Sequence, residues 1–176
     1  KSFSSIKKGP VIFFGNEFFD SIPIKQFSRK RNLFFEKYYS LNKKNKINEI
    51  YKKASSKDVS SIKKFRILKN LRFVEFPKLG LDELKKIIKK ISKLEGGLLL
   101  IDYGYLTPKN KNTLQSLIKH KKNNLLHNLG KADITSLVNF NLLNEYFIKN
   151  NLKVKKIVTQ KFFLEKMGII ERANNL

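Results

Sequence analysis

The chain has 176 residues, 41% apolar and 30% charged, with 38 lysines and arginines against 14 acids for a formal net charge of +24. Length and balance fit one domain with a real core, and no apolar run approaches the ~18 residues of a membrane helix. With no cysteine and only His120 and His127, disulfides, thiolate metal sites and histidine-rich zinc sites are excluded, so no metal is expected.

In chain order, "VIFF" (11–14) predicts a short parallel strand buried on both faces, because its apolar run is unbroken. A helix is expected to begin over 18–26, limited by Pro23. "LFFEKYYSLN" and "KINEIYKKA" flank the polar turn Asn42–Asn45 and predict a hairpin. Residues 55–70 have only weak helical spacing, and "RFVEF" (72–76) predicts a short strand stopped by Pro77. "GLDELKKIIKKISKLEGG" places apolar residues at 84, 87, 88, 91 and 94, an amphipathic helix with Asp82 as N-cap or first-turn acid and Gly96 and Gly97 as its end. Leu98–Ile101 then reads as a second buried strand closing on Asp102, which makes half of a βαβ unit. "TLQSLIKH" (113–120) is expected as helix or ordered loop. A turn near Asp133 precedes a helix from about Asn141, 152–159 alternates like a strand, and the C-terminal 17 residues are helical in two pieces broken at Gly168. The stripe Phe162, Phe163, Met167 and Ile169 is a core or interface face.

Lysine supplies 33 of the basic residues and arginine 5. Base readout and phosphate clamps lean on arginine. The lysine, asparagine, isoleucine and phenylalanine richness is what an AT-rich genome favours, so weak polyanion affinity is expected but no specific nucleic-acid partner. The first ten residues lack the apolar stretch of a secretory signal.

Both apolar strands run into acids: Val11–Phe14 into Asn16, Glu17 and Asp20, and Leu98–Ile101 into Asp102. In an open parallel sheet, ligands bind outside the carboxyl ends of the strands. Any one of these acids is sufficiently explained as a helix cap or turn former. The set, at two strand ends, points to a shared crevice.

"NEFFDSIPIKQF", "GGLLLIDYGY", "TLQSLIKHKKNNLLHNLGKADITSLVNF" and "TQKFFLEKMGIIERANNL" follow one another in the order of a known family. On these motifs, from about Gly9 to Leu176, the chain resembles the MidA-like S-adenosylmethionine-dependent methyltransferases, whose mitochondrial members assist assembly of respiratory complex I. The resemblance implies an α/β fold, the C-terminal part of a Rossmann-like class I methyltransferase sheet, with 28–80 as a variable hairpin and helical insertion. It implies S-adenosyl-L-methionine as co-substrate and a protein substrate, a complex I subunit, methylated on arginine in a bacterial cytoplasm or mitochondrial matrix. The family's glycine-rich cofactor loop lies upstream of the N-E-F-F-D strand and a final sheet segment lies downstream. Neither is found here, so these residues resemble a fragment expected to be inactive alone and open to oligomerisation. The alternative is a non-catalytic assembly factor that retains the fold.

By position, and by analogy with the paired glutamates of other arginine methyltransferases, Glu17 and Asp20 are expected to grip a guanidinium. His120, in the T-L-Q…H motif, is a candidate proton acceptor, though it reads equally as a surface histidine between lysines. Asn16 is expected to reach cofactor or substrate. Asp102 and Tyr103 are expected to shape the acceptor pocket; Asp133 in "ADIT" reads first as a turn former by local hydrogen bonding, and the motif's place in the family allows it as a wall of that pocket.

Overall fold

A computed structural model describes residues 5–44, 46–108 and 110–176. β1 (Val11–Asn16) opens the fold. Residues 17–24 then turn rather than form a helix, and β2 (Lys25–Lys30) follows directly. The expected helix over 18–26 gives way at Pro23, which has no N–H to donate within a helix, and from Lys25 the backbone is taken up by pairing with Phe73–Phe76 and Leu33–Glu36.

The hairpin is present as β3 (Leu33–Leu41) and β4 (Ile47–Lys53). Asn42 closes its connection by accepting from the backbone N–H of Lys44 and Lys46, while Asn45 of the expected turn lies outside the described residues. α1 (Ser56–Lys63) starts on the Ser55 hydroxyl, which accepts from the Asp58 N–H. β5 (Phe73–Phe76) stops at Pro77 and completes an antiparallel sheet in the order β4-β3-β2-β5.

α2 (Lys78–Leu94) begins a turn earlier than Asp82 suggests, because the Leu81 N–H bonds the Pro77 carbonyl. Proline suits this place since no helical N–H is needed there. Asp82 is therefore no cap; it pairs with Lys78 at 2.9 Å. Leu81, Leu84, Ile87, Ile88 and Ile91 form the buried face. Gly96, at φ 122°, turns the chain into β6 (Gly96–Ile101); a Cβ there would meet the Val11 carbonyl oxygen at 1.8 Å.

β6 runs parallel to β1, from Val11 opposite Gly96 to Asn16 opposite Ile101. Phe13, Leu98 and Leu100 pack against the core. The opposite face is bare: Ile12 is 83% exposed and Phe14 63%. Burial of 11–14 on both faces is thus corrected to one face, because within these residues only the α2 side is covered.

β7 (Gly104–Tyr105) pairs in parallel with β11 (Val138–Asn139), and between them β8 (Gln115–Ile118), β9 (Lys121–Asn123) and β10 (Asp133–Thr135) form a sheet ordered β10-β8-β9. The 113–120 run is therefore a strand leading into a tight turn, not a helix or loop. Lys119 and His120 both take positive φ, as a two-residue hairpin turn demands. Asp133 begins a strand, and the turn lies before it.

α3 (Phe140–Lys149) starts close to the expected helix, capped by Asn139. Residues 152–159 form no strand and pair with none among the described residues, so the expected strand lacks its ladder. α4 (Gln160–Lys166) and α5 (Ile169–Asn174) break at Gly168 as expected. Neither buries a residue, so the Phe162 stripe is not core. The core itself joins β2, β5, α1, α2 and α3 through Phe27, Val74, Phe76, Ile62, Leu84 and Leu142, with Leu68 beside them.

Candidate active site

β1 and β6 end side by side, and the acids of both ends meet. The Glu17 N–H continues the ladder onto the Ile101 carbonyl at 2.9 Å, with Glu17 itself at φ 47°. Beyond it the chain folds over Asp102. One Asp102 oxygen accepts from the N–H groups of Phe19 (2.7 Å) and Asp20 (3.3 Å); the other accepts from Tyr103 (2.9 Å). Asp102 therefore staples the acid-bearing turn of one strand end to the other. Phe19, 3% exposed, is the anchor below, while Phe18 stays half exposed above it.

Asp20 is raised above its ordinary 3.8 by burial, then by the Asp102 charge and, less, by Glu17. The Asp20 carboxyl thus feels the charges of both Asp102 and Glu17, which favours a cation beside it. Asn16 and Tyr103 are exposed at the same strand ends.

The remaining expected residues lie elsewhere. The Ser136 N–H reaches the Asp20 carbonyl at 2.9 Å, which brings the end of β10 against the acid turn. Asp133 is three residues further along and exposed. His120 sits exposed at the tip of the β8–β9 hairpin. It is five residues from Gln115, the β8 residue opposite Thr135, or roughly 16 Å at ~3.3 Å per residue. β8 thus carries it away from the Ser136 end that meets the acid turn.

Behind the turn is a polar support that sequence reading did not single out. Glu75 accepts from Gln26 Nε2 (2.9 Å), Thr113 N (2.9 Å) and Thr113 Oγ1 (2.6 Å), and the Leu137 N–H donates to Thr113 Oγ1 at 3.0 Å. Tyr105 borders the same space; burial, then the Glu75 charge, pushes its hydroxyl up to about 12. A glutamate between Val74 and Phe76 in a strand was the available signal. The cavity here is about 20 Å³, room for a water and far too small for a nucleoside. The large open groove, about 620 Å³, lies on the antiparallel lobe beside Phe34, Lys53 and Val59, and not at the acids.

Among the described residues no cluster of histidines and acids could hold a metal, and no helix is long and apolar enough to cross a membrane.

Residues 1–158 match a family model described as "Putative S-adenosyl-L-methionine-dependent methyltransferase". A mitochondrial protein arginine methyltransferase NDUFAF7 homolog of Caenorhabditis elegans is 28% identical over 100% of this chain and 42% of its own length. The mitochondrial protein arginine methyltransferase NDUFAF7 of Danio rerio is 26% identical, over 97% and 40%. A Burkholderia thailandensis protein solved with S-adenosyl-homocysteine bound superposes with a TM-score of 0.77 at 17% identity, covering 96% of this chain and 45% of that one. A native structure of a protein from the same organism gives 0.78 at 16% identity, over 96% and 46%. The chain thus spans less than half of each of these proteins.

Proposed function

The chain belongs to the family of S-adenosyl-L-methionine-dependent methyltransferases, and from that premise we propose that it carries the acceptor side of a protein arginine N-methyltransferase. One observation supports this reading above the others: Glu17 and Asp20 stand on a turn that Asp102 fastens to the neighbouring strand end. A guanidinium carries its charge over a planar fork of donors that carboxylates match in pairs. Binding it relieves the repulsion that raises Asp20. Glu17 and Asp20 then hold the cation and turn one nitrogen toward the methyl donor, while Asp102 keeps both in place without touching substrate. Asn16 and Tyr103, exposed at the same ends, border the acceptor. The reading gives His120 and Asp133 no contact.

S-Adenosyl-L-methionine supplies the methyl group in this family. The residues described here do not by themselves fit it. Neither β1 nor β6 opens directly into a helix N-terminus: β1 leads into a turn and β2, and β6 into a turn and β7. The glycine-rich loop that cradles such a group has no counterpart at either strand end, and the cavity behind the acids is too small. The names of the mitochondrial relatives support a protein substrate in a mitochondrion, and the family resemblance extends this to a complex I subunit in the matrix; a bacterial cytoplasm fits equally.

The test is methyl transfer to a protein acceptor by the native polypeptide that contains these residues. Glu17→Gln and Asp20→Asn should each lower kcat/KM by about 100-fold or more. Undiminished turnover in both removes the acids from the reaction. A native polypeptide that folds but takes up no S-adenosyl-L-methionine by calorimetry establishes instead the reading as a non-catalytic assembly factor.

A further inference from the structure

The two strand ends that carry the acids are tied together through both polar groups of the backbone. Asp102 takes the N–H groups of Asp20 (3.3 Å) and Tyr103 (2.9 Å). The carbonyls of the same two residues are taken by the segment that leads from β10 into β11. The Ser136 N–H reaches the Asp20 carbonyl at 2.9 Å, and the Val138 N–H reaches the Tyr103 carbonyl at 2.8 Å. These bonds close a ring that runs from Asp102 through Asp20, Ser136, Val138 and Tyr103 and back. Two residues of chain span at most roughly 7 Å. The 136–138 segment is therefore a ruler laid between the two strand ends.

The middle amide of the ruler is held from elsewhere. The Leu137 N–H donates to Thr113 Oγ1 at 3.0 Å, and that hydroxyl donates its own proton to Glu75 Oε2 at 2.6 Å. Glu75 is fixed in turn: its Oε1 accepts from the Thr113 N–H and from Gln26 Nε2, each at 2.9 Å, and Gln26 stands opposite it on β2. β5 alternates, so Val74 and Phe76 enter the core while Glu75 leaves by the other face. Hydrogen bonds to a carboxylate are roughly twice as strong as neutral ones. The lobe that holds the core is thus coupled to the ruler through one hydroxyl.

We propose that Thr113 and Glu75 are positioning residues of the acceptor site: through the Leu137 amide they hold the 136–138 segment against both strand ends, and so set where Asp20 stands relative to Tyr103. Neither touches substrate. The role rests on the reading of Glu17 and Asp20 as the guanidinium grip. Group transfer is steep in distance, with about 1 Å of misplacement costing on the order of 100-fold. A ruler released from Thr113 therefore shows in turnover.

Thr113→Val keeps the side chain's shape and deletes the hydroxyl; Thr113→Ser keeps the hydroxyl. Both are made in the native polypeptide that contains these residues. Methyl transfer to a protein acceptor is measured beside amide hydrogen exchange and calorimetric binding of S-adenosyl-L-methionine. Thr113→Val should lower kcat about 10- to 100-fold with little change in KM or cofactor affinity. Exchange should quicken at the Ser136, Leu137 and Val138 amides and stay unaltered in β2 and β3. Thr113→Ser should return kcat to within about twofold of the native value. Glu75→Gln keeps Oε1 but puts a donor where the Thr113 hydroxyl needs an acceptor. It should repeat the kcat loss, and it stands in for Thr113→Val if that variant does not fold. Native kcat in a folded Thr113→Val or Glu75→Gln, or no recovery in Thr113→Ser, overturns the positioning role. Undiminished turnover in Glu17→Gln and Asp20→Asn, or none in the native polypeptide, removes the guanidinium reading and this role with it. Slow acid variants beside a fast Thr113→Val remove this role alone.

Discussion

The antiparallel lobe and the parallel ribbon are built from similar apolar sequences and reach opposite ends of the burial scale. In the lobe, Phe27 of β2 is fully enclosed, with Val74 and Phe76 of the adjoining strand β5 and Leu84 and Leu142 of the helices in the same core. In the ribbon, Phe14 follows three apolar neighbours and still faces solvent. An apolar run reports what a strand requires of its surroundings; whether the surroundings are present is decided elsewhere in the chain. The charges repeat the contrast. Asp58 in the lobe is held by Ser55 at 2.8 Å and Lys25 at 3.0 Å, with Glu36 on the same lysine at 3.1 Å. Asp20 at the ribbon's end is surrounded by like charge. The lobe pairs its acids; the ribbon end accumulates them.

Four measurements sharpen this contrast. Phe27→Ala should cost about 3–5 kcal/mol in denaturant unfolding, the range for emptying a closed core of an aromatic ring. Asp102→Ala removes three bonds from a half-buried carboxylate and should cost about 2–3 kcal/mol. Its signature is faster hydrogen exchange at the Phe19 and Asp20 amides, with the β2–β3 amides unchanged. Stability against pH should separate the two aspartates by sign. Burial alone would raise Asp58, but Ser55 and Lys25 lower it below 3.8. Its contribution is present above 3.8 and is lost as pH falls through the folded value. Asp20 is raised, so the folded state holds the proton longer and stability declines as pH climbs from 3.8 through the folded value. Asp58→Asn should remove the acid-side loss, and Asp20→Asn the decline above it; the same slope in both variants would erase the distinction. Phe14→Ala should change the stability of the 176-residue chain by no more than about 0.5 kcal/mol, because the ring is mostly in water already. A loss like that of Phe27→Ala would mean that the ribbon's outer face is covered.

Much of the fold was legible where one periodicity dominated. The α2 stripe, the β3–β4 hairpin, β5 before Pro77, the paired apolar strands and the break at Gly168 each have a local cause that tertiary contacts reinforce. The turn at 17–24 was not legible, since the strand that replaces the end of the expected helix exists only through its pairing with β3 and β5. The 115–118 strand was missed because its partners, 121–123 and 133–135, carry little apolar signal of their own. For the site, the acids were visible as strand-end residues, but not Asp102's part as a staple, which exists only across 83 residues of chain. Nor was Glu75's, whose donors come from Gln26 and Thr113.

By itself the sequence determined the apolar strands at 11–14 and 98–101, the amphipathic helix between them and the motifs that place the chain in its family, since each depends on neighbours within a few residues. The tertiary structure alone decided which residues of the two strands stand opposite each other, that Asp102 fastens the turn bearing Glu17 and Asp20, that His120 stands at a hairpin tip and that Ile12 and Phe14 are left uncovered. The reason is physical: periodicity encodes which face of an element seeks burial, while the partner that provides it is set by contacts between distant parts of the chain.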